Sequence, residues 1–324
     1  MLANLEKLTL KNGATAEIFL LEPPEASPFV DGLKTLHLEK SDTSRRWINT
    51  ILDGNYTGEC VDRYFFAVID GQVAGSLWYG YGRHESPVAN FGHVFISPAF
   101  RGLGITQILL QHFKRDFSQS PCLAAFCKCS REWIAKMYRE IGFMGVEPGT
   151  STGKLMLLNH ADWKDFKSLE EEYYRRSTPL LVADGSMQFR HESDCLGAFT
   201  EHFSPRGMSL QWVANYLQAL FLQEDGAATL LNWQDADGHI FGWCFSATIS
   251  QEYEWFDYTC HPNVTHEEEA ELLRQSIIHF KSGRPIVTSV KDILPHRKAI
   301  LTSCGFRKCG LLPGETLFTD VPTA

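Results

Sequence analysis

The sequence predicts an α+β fold divided into two domains of the same design. Three observations support this prediction: strand pairs joined by tight-turn dipeptides, a strand that runs through a glycine loop into an apolar helix, and a repeat of this order in the second half. The chain has 324 residues, enough for two domains of ordinary size. Its 44% hydrophobic residues are sufficient to build packed cores.

Two hairpin dipeptides mark antiparallel strand pairs in the first half. Asn12-Gly13 and Asp70-Gly71 each lie between segments in which apolar and polar residues alternate. Such dipeptides favour the two-residue turns that join antiparallel strands. Two helices are predicted between the pairs, the second with Ser44 as its N-cap. The predicted elements of this stretch are strands over 8–10, 14–21, 64–69 and 73–81 and helices near 28–39 and over 44–52.

A strand, a glycine loop and a helix follow in the segment 90–117. The strand is predicted over 90–96, the loop over 101–106 and the helix over 102–117. Glycines let the backbone approach a ligand closely, and the first N–H groups of a helix have no partner within it. These groups, the helix dipole and the charge of Arg101 together predict a phosphate site. The alternative is a glycine turn that only begins a helix.

The first half ends with two further strands that flank a helix. The strands are predicted over 123–129 and 154–158. Ser130 is the expected N-cap of the helix between them, which ends at Gly142-Phe143.

The second half repeats this order with landmarks at a nearly constant offset. Such a long period indicates duplicated domains rather than a solenoid. Residues 160–178 are charged and amphipathic, which predicts a linker helix between domains at 1–159 and 179–324. The matching landmarks of the second half are Ala183-Asp184-Gly185, Ser209 with Trp212, Tyr216 and Leu217, the run 237–242, Pro262 with Leu272 and Gln275, and Gly305-Phe306.

The two copies differ at the glycine loop. Where the first copy has an arginine and two glycines, the second has Thr265, His266 and Glu268 within a run that continues to Glu269. Carboxylates at a helix start suit its dipole but repel a pyrophosphate. We therefore expect the second copy to bind no coenzyme there, and instead to pack against the first and shape its acceptor pocket.

The glycine loop resembles the pyrophosphate loop of the GNAT acyltransferase superfamily, Arg/Gln-x-x-Gly-x-Gly/Ala. Arg101, Gly104, the preceding strand and Pro98 match this pattern, whereas Thr106 departs from it. The loop lacks the Lys-Ser/Thr pair of a P-loop and the G-x-G-x-x-G of a dinucleotide site. The order of elements also resembles that of GNAT proteins. The resemblance implies two tandem domains, each a mixed, mostly antiparallel twisted sheet flanked by helices.

The resemblance also implies a coenzyme site for acetyl-CoA as co-substrate. In that family, backbone groups of the central strand pair with the pantetheine arm, the glycine loop holds the pyrophosphate, and the cofactor enters where the strands splay. The residues at the matching positions are Val94, Phe95 and Ile96 for pantetheine and Arg101, Gly102, Leu103, Gly104, Ile105 and Thr106 for pyrophosphate.

Tyr138 is the candidate general acid. It precedes Gly142-Phe143 by four residues, as does the family's tyrosine whose hydroxyl lies near the coenzyme sulfur. The alternative is a half-buried helix tyrosine with a hydrogen-bonded tip. The matching residue of the second copy is Leu301, in keeping with an inactive site.

The general base departs from the family pattern. Many relatives carry a glutamate at positions that fall here on Asn90 or Gly92, and neither side chain can accept a proton. His93 is the candidate because an ordinary histidine pKa of about 6.5 suits the task. Strand alternation places it on the face opposite Gly92 unless a bulge intervenes. The alternatives are His84, Glu85 and a relay of bulk water.

The acceptor is predicted only as an amine of a small molecule or peptide. Acidic residues Glu252, Glu254 and Asp257 alternate with aromatic residues in the second copy, and such a wall would suit a cationic amine. The alternative is a strand with one solvated face. A covalent step through Cys127 or Cys129 is a further possibility for the chemistry, although no histidine is seen to pair with either.

The resemblance to the GNAT superfamily therefore implies an N-acetyltransferase that works by direct attack in a ternary complex. Transfer of other acyl groups, decarboxylation of an acyl-CoA and non-catalytic coenzyme binding are the alternatives. A formal charge of −9 and the lack of a basic run argue against a nucleic-acid partner. Nine cysteines without metal spacing, no leader and no long apolar run predict a cytoplasmic protein without a metal site or membrane span. Monomer and homodimer both stay open.

Overall fold

In the computed structural model, the chain divides into two units, Met1–Phe166 and Lys167–Ala324. The predicted linker helix over 160–178 lies outside the described residues apart from positions 164 and 168. The structure describes residues 1–40, 42–83, 88–146, 151–159, 164, 168, 180–182, 215–236, 238, 240–248, 252–261, 263–280, 283–292, 294–312 and 315–320.

The first unit is an eight-stranded sheet with four α-helices among its described residues. A short 3₁₀ turn at Pro98–Phe100 precedes the third helix. The elements in chain order are β1 (Leu2–Thr9), β2 (Thr15–Leu21), α1 (Val30–Leu36), α2 (Asp42–Leu52), β3 (Cys60–Ile69), β4 (Gln72–Gly82), β5 (Val88–Ile96), α3 (Ile105–Phe117), β6 (Ala124–Cys129), α4 (Glu132–Glu140), β7 (Met144–Gly145) and β8 (Gly153–Leu158).

The strand order of this sheet is β1-β2-β3-β4-β5-β6-β8-β7. Neighbouring strands are antiparallel except β5 and β6, which are parallel and are connected through α3. Both expected hairpins are present, and the second turns through Asp70 and Gly71 at φ 49° and 75°. Positive φ at both central residues is the geometry that an Asp-Gly pair favours in a two-residue hairpin.

Three helices begin at other residues than the sequence predicts. Helix α2 begins at Asp42, so that Ser44 lies within its first turn rather than at the cap. Helix α3 begins at Ile105 rather than at 102, because Gly102 and Gly104 have left-handed backbone angles that a helix does not accept. The N-cap of α4 is Arg131, which has extended backbone angles and no side-chain cap bond, rather than Ser130.

A hydrophobic cluster covers each face of this sheet. On one face α3 and α4 pack Leu109, Phe113 and Tyr138 against the strands. On the other face α1 and α2 supply Leu33 and Ile48. The central strand β5 therefore has a helical layer on either side, which decides what each of its side chains contacts.

The second unit has a seven-stranded sheet and three α-helices among its described residues. The landmarks at 183–185 and 209–214, together with Pro262, lie outside them. The elements are β9 (Leu180–Val182), α5 (Asn215–Glu224), β10 (Ala228–Gln234), β11 (Ile240–Thr248), β12 (Glu254–Cys260), α6 (His266–His279), β13 (Ile286–Lys291), α7 (Pro295–Ser303), β14 (Arg307–Leu312) and β15 (Glu315–Thr319).

The second sheet has the strand order of the first. Taken from β9, it is β9-β10-β11-β12-β13-β15-β14, which matches β2-β3-β4-β5-β6-β8-β7 strand for strand. Its parallel pair, β12 and β13, is again joined through a helix. The predicted α+β class is confirmed, and the two sheets fit two tandem domains. Across the described residues, no helix combines the length and apolar character that crossing a membrane requires.

Candidate active site

A cleft opens in the middle of the first sheet where β5 and β6 diverge. The described pairing of these parallel strands covers three residues, from Val88 opposite Ala124 to Asn90 opposite Phe126. Strand β5 continues to Ile96, and there its other edge pairs with β4. The divergence exposes the β6-facing edge of β5 to a ligand, as the sequence predicts for the entry of the cofactor.

A β-bulge lies in the divergent part of β5. Trp78 of β4 is opposite Gly92 and Ser76 is opposite Phe95, so that His93 and Val94 together oppose one residue of β4. His93 has the left-handed angle φ 51°, which is uncommon for a residue other than glycine. An extra residue in one strand interrupts the alternation of side chains. The bulge therefore places His93 on the same face as Gly92, the condition under which the sequence allows it to act as a base.

Aromatic side chains surround the imidazole of His93. The ring stacks on Trp78 at a centroid distance of 4.8 Å, and Trp47 of α2 meets it edge-on at 4.6 Å. The hydroxyl of Tyr64 on β3 lies 2.9 Å from Nδ1 of His93. Trp78 is itself fixed, because its indole N–H donates to the buried carboxylate of Asp62 at 2.8 Å. These contacts hold the imidazole in one orientation.

A second histidine lies beside this group. His37 is buried, and its Nε2 lies 3.0 Å from the Ser76 hydroxyl, which donates to the His93 carbonyl oxygen at 3.3 Å. Since Ser76 has one proton to donate, His37 Nε2–H is the donor in the first bond. Burial, and then the charge of Lys40, lowers the pKa of His37 to about 4. His37 is therefore neutral at pH 7.

The glycine loop forms the N-terminal end of α3. Gly104 is the N-cap with φ 87°, and no side chain caps the first amides of the helix. Gly102 has φ 81° and no atom near the position that a Cβ would take. Arg101 donates from Nε to the Ile96 carbonyl oxygen at 3.2 Å, and its guanidinium lies 5.8 Å from the Phe95 ring centroid. The loop thus presents backbone N–H groups that no side chain caps, beside an Arg101 guanidinium held in place by its bond to Ile96.

A cavity of about 590 Å³ joins the loop, the end of β5 and one face of α4. It contains every predicted coenzyme residue except Leu103, whose apolar side chain packs against the core under α3. His93 does not line it, since the bulge directs that side chain to the opposite face of the sheet. The predicted residues that line the cavity are Val94, Phe95, Ile96, Arg101, Gly102, Gly104, Ile105, Thr106 and Tyr138.

Several residues line the cavity that the sequence analysis does not identify. On α4, the spacing of Trp133 to Met137 and of Ile134 to Tyr138 is the four-residue spacing of one helix face, which is a readable signal. No sequence motif marks Lys11, Lys40 or Arg131. The additional residues are Lys11, Lys40, Phe100, Gln107, Arg131, Trp133, Ile134 and Met137.

The lining of the cavity is positively charged. Lys11, Lys40, Arg101 and Arg131 line it, and no carboxylate does so among the described residues. Within that part of the chain, none of the four cations forms an ion pair. The Lys11 side chain passes 3.8 Å from the position that a Cβ would take on Gly104, and burial lowers the pKa of Lys40. Unpaired cations around open amides favour a polyanionic ligand.

Tyr138 forms part of the deep wall of the cavity. Its side chain is 7% exposed and packs edge-on against Phe91 at 5.2 Å and beside Phe143 at 5.7 Å. Burial, and then the nearby Cys127 and Cys129, raises the pKa of Tyr138 well above its ordinary value. Its hydroxyl is therefore a proton donor over the whole neutral range.

Cys127 and Cys129 do not have the surroundings of a nucleophile. Both are buried on β6, and burial raises the pKa of Cys127 well above the ordinary thiol value. Cys129 donates its thiol proton to the Arg131 carbonyl oxygen at 3.3 Å. A reactive cysteine needs a stabilised thiolate. A covalent acyl-cysteine step has no support in this geometry.

Comparison with known families agrees with the resemblance found in the sequence. Residues 31–143 match the model described as the acetyltransferase (GNAT) family. This segment is a GNAT acetyltransferase domain. The GNAT domain is accordingly an acyltransferase domain, of the kind that moves an acyl group from an acyl-CoA to an amine. No curated protein matches the sequence.

Three solved structures show how distant the similarity to known structures is. A chimaeric spermidine N-acetyltransferase of Vibrio cholerae is 14% identical, with a TM-score of 0.34, over 44% of this chain and 95% of that chain. A GNAT-family N-acetyltransferase of Escherichia coli in complex with CoA is 17% identical, with a TM-score of 0.33, over 43% and 81%. The GNAT domain of PAT from S. lividans is 15% identical, with a TM-score of 0.36, over 47% and 96%.

The described part of the second unit has neither the β-bulge nor the uncapped helix start of the GNAT site. The pairing of β11 with β12 runs from Gly242 opposite Cys260 to Thr248 opposite Glu254 with no register shift, so it contains no bulge. The first turn of α6 is closed by a capping box, in which the Thr265 hydroxyl accepts from the Glu268 amide and the Glu268 carboxylate accepts from the Thr265 amide. These amides are therefore satisfied within the helix start.

A buried cluster of polar groups occupies the second unit where β12, α6 and α7 meet. The Arg297 guanidinium lies 3.8 Å from the Tyr258 ring centroid and 3.5 Å from an Asp257 carboxylate oxygen. The Tyr258 hydroxyl donates to Glu269 at 2.7 Å. The corresponding elements of the GNAT domain, β5, α3 and α4, enclose the cavity instead.

The expected acidic wall on β12 is wrong for two of its three residues. Glu254 and Asp257 are 7% and 1% exposed. Glu254 accepts a bond from the Ser246 hydroxyl, and Asp257 accepts from the Tyr258 amide at 2.8 Å. Both carboxylates therefore accept bonds from internal donors, although Glu254 also lines a small polar pocket with His279 and Arg284. Asn90, at the position of the family's glutamate, is buried in the GNAT domain, and the alternative bases His84 and Glu85 lie outside the described residues.

Proposed function

We propose that the N-terminal unit is an N-acetyltransferase that transfers the acetyl group of acetyl-CoA to a primary amine of a small molecule or peptide. The observation that carries this proposal is the single cavity that joins the open amides of Gly102 and Gly104, the free edge of β5 and the hydroxyl-bearing wall at Tyr138. A long thioester with a diphosphate at one end would contact the loop amides, the β5 edge and the Tyr138 wall in that order.

The donor lies along β5 in this proposal. The diphosphate binds the uncapped amides after Gly104, with Arg101 and Lys11 beside it. The pantetheine arm runs along Val94 to Ile96, where backbone groups on the β6-facing edge are available. The thioester then lies near the point where β5 and β6 begin to diverge.

Two proton transfers complete the reaction. In this proposal His93 accepts the proton of the attacking amine at Nε2, which requires the tautomer in which Nδ1–H donates to the Tyr64 oxygen 2.9 Å away. Tyr138, kept protonated by burial, donates to the departing thiolate. The two side chains approach β5 from opposite faces, so the acid and the base do not neutralise each other. Direct attack within the ternary complex needs no covalent enzyme intermediate.

The C-terminal unit, we propose, binds no coenzyme. Its capping box engages the amides of Thr265 and Glu268 and holds the Glu268 carboxylate at the helix start, where it would repel a diphosphate. Tyr258, Glu269 and Arg297 fill the space between β12, α6 and α7. A stoichiometry of one acetyl-CoA per chain is expected in calorimetric titration. A stoichiometry of two would contradict this part of the proposal.

Charge reversal in the loop tests the main proposal. Arg101→Glu is expected to weaken acetyl-CoA binding at least tenfold in calorimetric titration, because it places a carboxylate beside the diphosphate. Arg115→Glu is the matched control, since Arg115 is an exposed residue of the same helix that does not line the cavity. Thiol release from acetyl-CoA with a panel of amines then measures turnover.

Two results would overturn the proposal. The first is wild-type protein that binds no acetyl-CoA, and the second is an Arg101→Glu variant whose affinity equals that of Arg115→Glu. Thiol release that is faster with another acyl-CoA, or that needs no amine, would identify a different reaction on the same site.

A further inference from the structure

The polar pocket beside Glu254 lies in the second unit, at the end of its sheet opposite the capping box. Its volume is about 380 Å³, and it is at the C-terminal end of α6. Helix α6 has 14 residues, so its two ends are about 20 Å apart. The pocket is therefore not the counterpart of the coenzyme cavity. The polar side chains that line it are those of Thr229, Ser246, Thr248, Glu254, His279 and Arg284.

Glu254 brings a buried carboxylate to this pocket. The residue is 7% exposed, and its backbone N–H donates to the Pro285 carbonyl oxygen at 2.9 Å, which fixes the start of β12. The Ser246 hydroxyl donates to one carboxylate oxygen, and the other accepts no hydrogen bond from the described residues. A buried carboxylate oxygen without a partner is destabilising until a donor reaches it, and a charged donor such as an ammonium group binds it most strongly.

Arg284 supplies a positive charge to the same pocket. It is exposed, and its guanidinium lies 3.5 Å from the hydroxyl of Thr248, the residue directly opposite Glu254 in the pairing of β11 with β12. Side chains at directly opposed positions of two strands are close neighbours. Even so, Arg284 forms no ion pair with Glu254 or with any other carboxylate in the described part of the chain. The pocket thus holds two opposite charges that lie close together without pairing.

We propose that this pocket binds a free α-amino acid, whose ammonium group contacts Glu254 and whose carboxylate contacts Arg284. A ligand with an amine alone would leave Arg284 unpaired, and a ligand with a carboxylate alone would be repelled by Glu254. A zwitterion satisfies both groups. No residue of the GNAT domain takes part, so this site is independent of the proposed acyl transfer.

The site also differs from the acidic wall that the sequence predicts for an amine acceptor. Asp257 and the aromatic residues of β12 do not line the pocket, which contacts β12 at Glu254 alone. The ligand is therefore recognised by one carboxylate and one guanidinium, and not by an array of acidic and aromatic side chains.

Calorimetric titration of the full chain with each of the common L-amino acids tests for the site. At least one of them is expected to bind with a dissociation constant of about 1 mM or lower. Each amino acid that binds is then compared with its decarboxylated amine and its deaminated acid, which for serine are ethanolamine and 3-hydroxypropionate. Both are expected to bind at least about tenfold more weakly than the amino acid, because each lacks one charged contact.

Two variants separate the two contacts. Glu254→Gln keeps an acceptor for the Ser246 hydroxyl but removes the charge, and it should weaken the amino acid at least about tenfold without weakening the deaminated acid. Arg284→Gln should weaken the amino acid as much and leave the amine within about twofold. Glu267→Gln and Arg274→Gln are the matched controls, since both change exposed residues of α6 that do not line the pocket. Both should bind as the wild type does.

Three results would overturn the inference. These are a wild-type protein that binds none of the amino acids, an amine that binds as tightly as its parent amino acid, and an amino-acid affinity that Arg284→Gln leaves unchanged. The last result would place the ligand elsewhere, including in the GNAT domain. Because Arg284 is exposed, its variant tests the site even if Glu254→Gln does not fold, and thermal unfolding of each variant checks this. Acetyl-CoA binding and thiol release do not enter the test, so the two proposals fail separately.

Discussion

The Tyr64 hydroxyl lies 2.9 Å from Nδ1 of His93, and the bulge in β5 is what brings the two together. Without the extra residue, alternation would place His93 on the α3 face, away from β3 residues such as Tyr64 that pack under α2. The pair resembles the usual arrangement in which the bond to one ring nitrogen fixes the role of the other.

Removal of the Tyr64 hydroxyl should slow the reaction without weakening donor binding. We expect Tyr64→Phe to lower kcat about threefold to tenfold, the range for one lost hydrogen bond, and to leave the acetyl-CoA affinity unchanged. The pH at which activity is half-maximal on the acid side should also shift. Tyr79→Phe is the control, since Tyr79 donates to Asp116 away from His93, and it should leave the pH profile in place. An identical profile in both variants would contradict the positioning role.

Tyr138 should behave as an acid that is not lost at high pH. We expect Tyr138→Phe to lower kcat by roughly 10²- to 10⁴-fold with little change in the affinity for acetyl-CoA, as for a lost general acid. Since burial raises the Tyr138 pKa, the wild type should show no loss of activity from its ionisation below about pH 10. Steady-state rates from pH 7 to 10 measure this. A Phe variant with wild-type kcat would show that Tyr138 is only a packing residue.

His37 should make the GNAT domain less stable in mild acid. The pKa of His37 is about 4 in the folded protein, against 6.5 for an ordinary histidine, so between these values only the unfolded chain gains the proton. Stability is then fully present above pH 6.5 and falls as pH decreases toward 4, by up to about 1.4 kcal/mol per pH unit. Urea unfolding of wild type and His37→Gln from pH 7 to 4 checks this.

The control for His37 is His279→Gln, which changes an exposed histidine of α6. The His37→Gln curve should be flatter than the wild-type curve below pH 6.5, whereas that of His279→Gln should follow the wild type. Parallel curves for all three proteins would mean that His37 takes up its proton at the same pH in the folded and the unfolded chain.

Arg297 should be essential to the stability of the second unit. Arg297→Met leaves Asp257 and Glu269 buried without their cation, and we expect a loss of about 3–5 kcal/mol in the free energy of unfolding. Arg274→Met, which breaks the exposed pair with Glu271, should leave the free energy of unfolding almost unchanged. Denaturant unfolding compares them. Equal losses would mean that the buried cluster contributes no more than a surface pair.

Local features of the fold were predictable from sequence because their causes are local. Asp70-Gly71 requires only two positive φ angles, and the glycine loop is specified by its own residues. The helix starts were predicted less well, since Ser44 and Ser130 have good cap chemistry but the chain enters α2 and α4 at other residues. A cap depends on where the preceding strand or loop ends.

The arrangement of the site was only partly predictable. The bulge at His93 depends on the register between β4 and β5, which two separate segments decide together. Lys11 reaches the Gly104 loop from the first hairpin, across more than ninety residues of chain. Trp133 could have been predicted as a residue of the cavity wall, because its four-residue spacing from Met137 on one helix face is visible in the sequence.

The buried cluster of Tyr258, Glu269 and Arg297 also bears on whether the second unit could acquire a coenzyme site. Exchange of Glu268 for glycine would free the Thr265 amide and remove a carboxylate from the start of α6, but Glu269 and the Arg297–Asp257 pair would still occupy the interior. Removal of Arg297 would leave the Asp257 carboxylate buried without its cation. Under our proposal, a coenzyme site in the second unit would therefore require changes at the helix start and in the buried cluster together, because single changes in the cluster cost stability.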